Sequence, residues 1–289
     1  MELILSSARS KNSTNVRAPS PGFQAMKAGL WLLSRAAPAA AAAVVERLFL
    51  TPRSYARPAA EAEMLARARP FQLGALAAWE WGRRGPRVLL VHGWEGRGSQ
   101  LSGLVNPLLE AGFRVVTFDA PAHGDSPGAR SSFFDFSRSI EEAARALGPL
   151  HAIVCHSMGG ATALWASRHG PLARGLVLIA PPVDLRDFTR QFCGALGIPE
   201  PVRERLHWRL SQRFGVPVEE VRAEDLASRM RGPLLVIHDE ADREVPVACG
   251  ELIANQWPGS KLLKTRGLGH RRILRDAQVL AAVTNFISG

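Results

Sequence analysis

A serine stands in this chain at a position suited to nucleophilic attack. The apolar residues 151–154 lead directly into Cys155-His156-Ser157-Met158-Gly159-Gly160, and helix-forming residues follow. This order predicts a buried strand, a sharp turn and a helix. A sharp turn holds its central residue in a strained conformation, so the Ser157 hydroxyl would project from the end of the sheet towards the first N–H groups of the helix. Ser157 is therefore a candidate nucleophile; the alternative is an ordinary turn that contains a serine.

A serine hydroxyl needs a base to take its proton before it can attack. Of the eight histidines, His270 fits best, because Gly267-Leu-Gly-His270 lies between the last predicted strand and the last predicted helix. His238 ends another predicted strand and is a second candidate. His169 and His207 fall on predicted helices, where we expect them to face solvent. His270 is the preferred base.

The base needs a carboxylate that fixes its tautomer and stabilises the imidazolium. The segment Asp239-Glu240-Ala241-Asp242 follows a predicted strand and offers three carboxylates. Asp242 is preferred because it lies beyond the strand, where a loop can reach the histidine; the other two can be charged turn residues. The chain order Ser157, Asp242, His270 is that of one known triad arrangement.

Acyl transfer also needs hydrogen-bond donors for the tetrahedral oxyanion. The backbone N–H of Met158, directly after the nucleophile, is one candidate. The other is the backbone N–H of Trp94, in the glycine-rich segment 92–98 that follows a predicted strand. Such a segment could instead cradle a phosphate, but it lacks the dinucleotide-binding spacing and the Lys-Ser/Thr pair of a P-loop.

Short apolar segments that alternate with amphipathic ones must position these groups. Strands are predicted at 75–81, 87–91, 113–118, 151–154, 176–179, 234–237 and 261–264. Helices are predicted near 100–110, at 133–147, near 247–256 and from about 273. Continuously apolar strands separated by helices predict an α/β fold, with a doubly wound and mostly parallel sheet covered on both faces.

The alternation is interrupted between residues 183 and 231, where aromatic and arginine residues predict helices without a strand. An insertion there would cover the carboxyl ends of the strands, where doubly wound sheets bind ligands. The expected organisation is an N-terminal tail and helical extension at 1–71, a core at 72–182 and 232–289, and a helical lid at 183–231. The aromatic residues of the lid suggest that the substrate carries an apolar group.

Residues 28–50 are largely apolar, but Arg35 and Pro38 interrupt them. The segment is too broken for a good membrane-spanning helix and lies late for a signal peptide. We expect a helix that docks on the main domain; peripheral contact with a membrane surface is the less favoured alternative. The first 20 residues are predicted to be a mobile tail.

Composition narrows the classes of function. The net charge of +10 comes from 36 Lys and Arg residues against 26 Asp and Glu residues, scattered along the chain rather than clustered. A surplus of basic residues that is scattered along the chain does not predict a nucleic-acid partner. Three cysteines, Cys155, Cys193 and Cys249, have neither disulfide nor metal-site spacing, which fits a reducing compartment. We expect a cytoplasmic protein without metal or cofactor.

Five motifs together resemble the α/β-hydrolase superfamily, in the order which that family shows. They are His92-Gly93-Trp94, Asp119-Ala-Pro-Ala-His123-Gly124-Asp-Ser126, His156-Ser157-Met158-Gly159-Gly160, Asp242-Arg-Glu-Val245-Pro246 and Gly269-His270. The resemblance covers residues 72–289 and looks closest to the monoacylglycerol-lipase-like and serine-aminopeptidase-like branch. It implies the α/β-hydrolase fold, the triad Ser157, Asp242 and His270, and oxyanion amides at Trp94 and Met158. In two departures, Cys155 replaces the first glycine of the usual Gly-x-Ser-x-Gly turn, and Asp239 stands where the family often has glycine.

The expected function is a metal-free serine hydrolase that cleaves an ester of a small molecule through an acyl-enzyme, with a thioester or an amide as further options. One alternative is a non-catalytic, ligand-binding member of the same fold. Another is an enzyme that uses the acyl group differently, as a cofactor-free acyltransferase or perhydrolase.

Overall fold

The computed structural model describes residues 20–289, so the tail predicted at the N-terminus lies outside the described residues except for Ser20. The described chain folds around one eight-stranded sheet with the order β1-β2-β4-β3-β5-β6-β7-β8. The strands are β1 (Arg69–Leu73), β2 (Leu76–Trp81), β3 (Arg87–Val91), β4 (Arg114–Phe118), β5 (Leu150–His156), β6 (Ala173–Ile179), β7 (Leu234–Asp239) and β8 (Lys261–Thr265).

Helices lie before, between and after these strands. The α-helices are α1 (Pro21–Ala36), α2 (Pro38–Phe49), α3 (Ala59–Ala66), α4 (Val105–Glu110), α5 (Phe133–Leu147), α6 (Met158–Ala166), α7 (Leu185–Leu196), α8 (Glu200–Phe214), α9 (Ala223–Ala227), α10 (Val247–Gln256), α11 (Gly269–Arg272) and α12 (Ala277–Ser288). The 3-10 helices are Gly98–Leu104, Ser167–His169, Val218–Glu220 and Ile273–Arg275.

The predicted α/β fold with a mostly parallel sheet is confirmed. Strands β3 to β8 pair in parallel, and β1 and β2 join antiparallel at one edge. All seven predicted strands are present, and the helices predicted at 133–147 and 247–256 have those bounds. The helix predicted near 100–110 is a 3-10 segment followed by the short α4.

One strand was not predicted. Strand β1 begins at Arg69, before the expected start of the core at residue 72, and most of its side chains are exposed. It lies at the edge of the sheet, where Pro70 is tolerated because an edge strand leaves some backbone groups unpaired. An exposed edge strand lacks the apolar run by which buried strands are recognised.

The two faces of the sheet carry separate apolar cores, because side chains alternate along each strand. In β3, Leu89 and Val91 point into the core shared with α5, α6 and the helices of the insertion. Their neighbours Val88 and Leu90 point into the core shared with α4 and α12. All four side chains are buried, so the sheet is covered on both faces as the continuous apolar run predicted.

The insertion at 183–231 consists of α7, α8, α9 and a short 3-10 helix. Residues 183–231 contain no strand. A single antiparallel β-bridge between Asp184 and Arg222 pairs the first residues of the insertion with residues near its end. The expectation that His207 faces solvent is wrong: the side chain is buried, and its Nε2 lies 2.6 Å from the Thr189 hydroxyl of α7. His169 is exposed, as expected.

The apolar residues 28–50 form parts of two helices rather than one. The helical conformation is interrupted at Ala37, which is extended with φ −148°. The residue before a proline avoids the helical region, and Pro38 itself suits the first turn of α2. The inner face of α2 packs on the insertion, where the Phe49 ring meets Phe188 and Phe192 edge-on. The segment therefore docks on the protein, through contacts of α2 with α7 and α8 of the insertion, whereas docking on the main domain was expected.

No helix among residues 20–289 combines the length and the apolar character that crossing a bilayer requires.

A buried ion pair fixes the N-terminal helices to the insertion. The Glu46 carboxylate of α2 is 3% exposed and accepts hydrogen bonds from Arg209 Nε and Arg213 Nε of α8, each at 2.5 Å. Both arginines are partly exposed, so water hydrates their outer atoms. The carboxylate depends on them for compensation of its lost hydration.

We expect the loss of the two arginines to cost more than the loss of the acid. The double substitution Arg209→Met with Arg213→Met should lower the free energy of unfolding by about 3 kcal/mol, because it leaves the buried Glu46 carboxylate without a partner. Glu46→Gln should cost about 1 kcal/mol, since the arginines can turn to water. Arg190→Met, whose partner Asp187 is half exposed, is the control and should cost less than about 1 kcal/mol. Urea unfolding measures the free energy of unfolding of all three variants. Equal losses for the double arginine variant and for Glu46→Gln would contradict the dependence of Glu46 on its two partners.

Candidate active site

Ser157 occupies the turn between β5 and α6, where its backbone has φ 53° and ψ −128°. A positive φ is strained for a residue other than glycine, as the sequence predicted for this turn. The strain is supported by neighbouring structure, because the Ser157 N–H donates to the Ile179 carbonyl of β6 at 2.8 Å. Cys155 lies buried at the end of β5, and burial raises the pKa of its thiol. The small residue before the turn is therefore a core residue.

The loop after β3 touches the turn at Ser157 directly, and two glycines make this possible. A Cβ atom on Gly93 would lie 2.8 Å from the Ser157 Cβ, and one on Gly159 would lie 2.5 Å from the His92 carbonyl oxygen. Both separations are too short for real side chains. The type of residue at these two positions therefore sets how closely the loop approaches the serine.

Two backbone N–H groups, one in the turn after Ser157 and one in the loop after β3, are unpaired within the described residues. The N–H groups of Trp94 and Met158 donate to no acceptor among residues 20–289. Both residues line the same cavity as Ser157 and His270. A pair of free amides beside a nucleophile is the arrangement that binds a developing oxyanion.

Asp242 and His270 are in direct contact. Asp242 Oδ2 lies 2.7 Å from His270 Nδ1, so the ring donates its Nδ1 proton to the carboxylate. The other carboxylate oxygen accepts the N–H groups of Glu244 and Val245 at 2.8 and 3.0 Å. Burial opposes ionisation of Asp242, but hydrogen bonds from His238, His270 and Val245 outweigh it and hold its pKa well below the ordinary range. The carboxylate is thus kept charged beside the imidazole.

The other two carboxylates of this segment lie elsewhere. Asp239 is buried and accepts the N–H groups of Leu268 and Gly269 at 3.0 and 2.9 Å, which ties down the backbone just before His270. Glu240 pairs on the surface with Arg266. Burial opposes ionisation of Asp239, while the Gly269 and Leu268 amides lower its pKa below its usual value. Among the three, only Asp242 contacts His270 within the described part of the chain.

His238, the second candidate for the base, lies behind Asp242. It is fully buried at the end of β7, with Nε2 3.0 Å from the Val245 carbonyl oxygen and 3.5 Å from Asp242 Oδ2. It is not among the residues that line the cavity containing Ser157. The structure therefore brings His270, and not His238, to the same cavity as the serine.

His156 joins the serine turn to the loop that carries His270. Its Nε2–H donates to the His270 backbone carbonyl at 2.9 Å, and the two rings lie 4.7 Å apart. Burial, and then the neighbouring His270, lower the pKa of His156 to about 3. Burial therefore keeps the ring neutral, although the hydrogen bond to the His270 carbonyl by itself raises the pKa. Its place directly before Ser157 could have signalled this role.

Two further histidines hold the loop of Trp94 in place, a role that sequence reasoning missed. His92 donates Nδ1–H to the Gly93 carbonyl at 2.7 Å and accepts the Ala120 N–H at 3.0 Å. His123 accepts the Glu95 N–H at 3.1 Å and donates to the Pro121 carbonyl at 2.9 Å. Each ring therefore acts as one donor and one acceptor, which only a neutral imidazole can do.

Burial explains the protonation state of this cluster. It lowers the pKa of His92 to about 3 and that of His123 to about 4, far below the ordinary 6.5. Nearby Asp119 accepts the Gly98 N–H at 2.7 Å and the Asp125 N–H at 2.8 Å, and burial raises its pKa to about 6. The segment 119–126 thus supports the loop of Trp94 through hydrogen bonds, and none of its residues lines the cavity that contains Ser157.

Ser157 and His270 line a cavity of about 930 Å³. One part of its lining is apolar and comes from both the insertion and the N-terminal helices: Phe23, Leu48, Phe49, Phe188, Phe192 and Leu196. Another part is charged with both signs, and its residues include Arg243, Arg271, Arg272, Arg275, Glu61, Asp184, Asp187 and Glu244. Arg271 pairs with Glu244, and Arg275 pairs with Glu61. A cavity of this size holds a ligand of tens of atoms, with an apolar portion and a polar portion.

The N-terminal extension also supplies a buried carboxylate to this cavity. Glu61 of α3 is 3% exposed and accepts hydrogen bonds from Arg97 Nε at 2.7 Å and from the Ser99 hydroxyl at 2.8 Å. No site residue was predicted within residues 1–71, so this contact was missed. An acidic residue on a short helix gives no signal of it in the sequence. Within residues 20–289, no group of three or more His, Cys, Asp and Glu side chains could hold a metal ion.

Residues 86–196 match a family model described as alpha/beta hydrolase fold. The pimeloyl-[acyl-carrier protein] methyl ester esterase of Methylococcus capsulatus is 32% identical over 230 residues, which cover 65% of this chain and 86% of the relative.

Solved structures support the same fold. An esterase of Pyrococcus furiosus aligns with a TM-score of 0.63 at 19% identity, over 83% of this chain and all of its own (100%). The monoacylglycerol lipase of Paleococcus ferrophilus aligns with a TM-score of 0.59 at 21% identity, over 74% of this chain and 98% of its own. At these identities the likeness concerns the fold.

Neutral, buried His123 predicts a loss of stability in mild acid. Between pH 6.5 and about 4 the unfolded chain binds a proton at this residue and the folded chain does not, so stability falls as the pH falls. His123→Gln removes this contribution. We expect the variant to be less stable than the wild type at pH 7.5, with the gap narrowing by about 1.4 kcal/mol per pH unit below 6.5.

Urea unfolding at pH 7.5 and pH 4.5 measures the gap, and exposed His169→Gln is the matched control for replacing an imidazole by an amide. Asp119, which titrates in the same range, is present in both proteins and cancels. A gap for His123→Gln that stays constant with pH would contradict a neutral, buried ring.

Proposed function

Because the chain belongs to the α/β-hydrolase superfamily, we propose that Ser157, His270 and Asp242 are the catalytic triad with which it cleaves an ester through an acyl-enzyme. It is a hydrolase that acts on ester bonds, the class of its relative from Methylococcus capsulatus. The observation that carries the proposal is the contact of Asp242 Oδ2 with His270 Nδ1 at 2.7 Å, in a loop that His156 holds against the serine turn. This contact leaves the other ring nitrogen free to accept a proton.

The arrangement supports two half-reactions. In the first, Ser157 Oγ attacks the ester carbonyl carbon and its proton passes to His270 Nε2, while Asp242 stabilises the imidazolium. The carbonyl oxygen becomes an oxyanion and accepts the N–H groups of Trp94 and Met158. The carbon–oxygen bond to the alcohol breaks as His270 returns the proton to the leaving oxygen.

Water releases the acid in the second half-reaction. His270 takes a proton from water, the hydroxide attacks the acyl carbon, and the same two amides hold the oxyanion again. The bond to Ser157 Oγ breaks, and His270 gives the proton back to the serine. Each chemical group returns to its starting state, so these residues need no cofactor for the sequence of steps.

The lining of the cavity indicates the substrate class. Phe188 and Phe192 from the insertion, with Leu48 and Phe49 from α2, would hold an apolar acyl chain beside Ser157. The insertion at 183–231 thereby acts as a lid, and the N-terminal extension shares this role. The Methylococcus capsulatus relative is named for an acyl methyl ester on a carrier protein, which is also an ester with an apolar chain.

Replacing the nucleophile should abolish both turnover and covalent labelling. Ser157→Ala is expected to lower kcat for p-nitrophenyl esters by about 10⁶-fold and to prevent reaction with a fluorophosphonate probe. Ser167→Ala, at the end of α6, is the matched control and should keep both. Esters of graded chain length would show whether the apolar lining selects the acyl group. Full turnover by Ser157→Ala would refute the proposal, and labelling without release of acid would favour transfer to another acceptor.

The two buried aspartates should differ in their effects. Asp242→Asn should lower kcat by about 10⁴-fold, because the wrong tautomer of His270 is then favoured. Asp239→Asn should cost at most about 10²-fold, since it only loosens the backbone before His270. Steady-state kinetics with p-nitrophenyl acetate, after a check of folding by circular dichroism, measures both. The reverse order would identify Asp239 as the catalytic acid.

A further inference from the structure

The exposed side of α1 and α2 differs from an ordinary helix surface. The inner sides pack on the protein, with Leu30, Ala41, Ala42 and Val45 buried. On the exposed side, Met26, Trp31, Leu32 and Val44 are 36%, 46%, 61% and 40% exposed. We call this side the outer face. Four large apolar side chains exposed on two consecutive helices form a surface of the kind that binds a partner.

The charges of the outer face are all of one sign. Its exposed charged residues are Arg35 and Arg47, and the one acid between residues 20 and 49 is Glu46, which is buried and paired with α8. The Arg35 guanidinium lies 4.3 Å from the centre of the Trp31 ring, so a cation and an amphipathic aromatic stand together at this surface. Apolar side chains with interspersed cations and no carboxylate complement an anionic lipid surface.

We propose that the outer face of α1 and α2 docks on an anionic lipid bilayer. A second copy of this chain fits less well, because a two-fold interface would bring Arg35 and Arg47 of both copies together without any carboxylate between them. The helices lie in the plane of the membrane surface, with Trp31 and Leu32 among the acyl chains and the arginines at the lipid phosphates. The inner faces remain docked on the insertion.

This docking gives the site a route for its substrate. Met26 belongs to the outer face and also lines the cavity of Ser157, and Phe23 and Phe49 of the same helices line it further inside. An ester dissolved in the bilayer could pass along these side chains to the serine without crossing water. This second part rests on the proposed function, whereas the docking itself does not.

Flotation of the full-length protein with lipid vesicles tests the docking. We expect binding to vesicles of phosphatidylcholine with phosphatidylglycerol, weaker binding to phosphatidylcholine alone, and loss of the difference at high salt. Leu32→Glu should lower the bound-to-free ratio about tenfold, and Arg35→Gln about fivefold on the anionic vesicles. Leu252→Glu, at a helical position on α10 where the leucine is 36% exposed, is the control and should bind as the wild type does.

Three outcomes would overturn the proposal: no binding of the wild type to anionic vesicles, equal losses for Leu32→Glu and Leu252→Glu, or a wild-type dimer that Leu32→Glu converts to a monomer. Hydrolysis of water-soluble p-nitrophenyl acetate separates this result from the proposed function. All variants should keep that activity, and Leu32→Glu should lose turnover of a long-chain ester presented in anionic vesicles. Bound protein that fails on the soluble ester would refute the proposed function and leave the docking intact.

Discussion

The geometry around Ser157 depends on direct contact between backbone segments. The turn that bears the serine touches the loop after β3 where Gly93 and Gly159 leave no room for a Cβ atom. Because these atoms are absent, the loop that carries Trp94 lies against the turn that carries Met158, and both residues line the cavity of Ser157. A methyl group at either glycine would push the loop away and separate the two donors. Close packing of the serine turn against the loop after β3 is therefore a condition for any electrostatic stabilisation at this site.

Neutral histidines maintain this contact, and charged carboxylates maintain the other half of the site. His92, His123 and His156 each bind a backbone group in surroundings that exclude a positive charge. Asp242, by contrast, stays ionised in a buried position because donors converge on it. His270 lies between these two environments. The protein thus keeps imidazoles uncharged around the loop of Trp94 and a carboxylate charged behind the one imidazole that is proposed to accept a proton.

Much of the fold could be predicted from the sequence, because buried strands are continuously apolar and helices end at recognisable residues. The helix at 133–147 has the predicted bounds for this reason. Strand β1 was missed because its side chains are exposed, and the burial of His207 was missed because it depends on Thr189 in another helix. The sequence could order the three carboxylates after β7 only by their distance from the strand. Which one reaches His270 is a matter of tertiary structure.

The N-terminal extension shows why distance along the chain is a poor guide to distance from the site. Its buried residue Glu61 pairs with Arg97 in the loop that carries Trp94, while Phe49 meets two phenylalanines of the insertion. The apolar lining of the cavity therefore comes from two segments that are far apart in sequence. Glu46 of α2 joins these two segments through its ion pairs with α8. Movement of the insertion away from Ser157 would have to carry α2 with it or break the pairing of a buried charge, so access to the serine and the position of the N-terminal helices are mechanically linked.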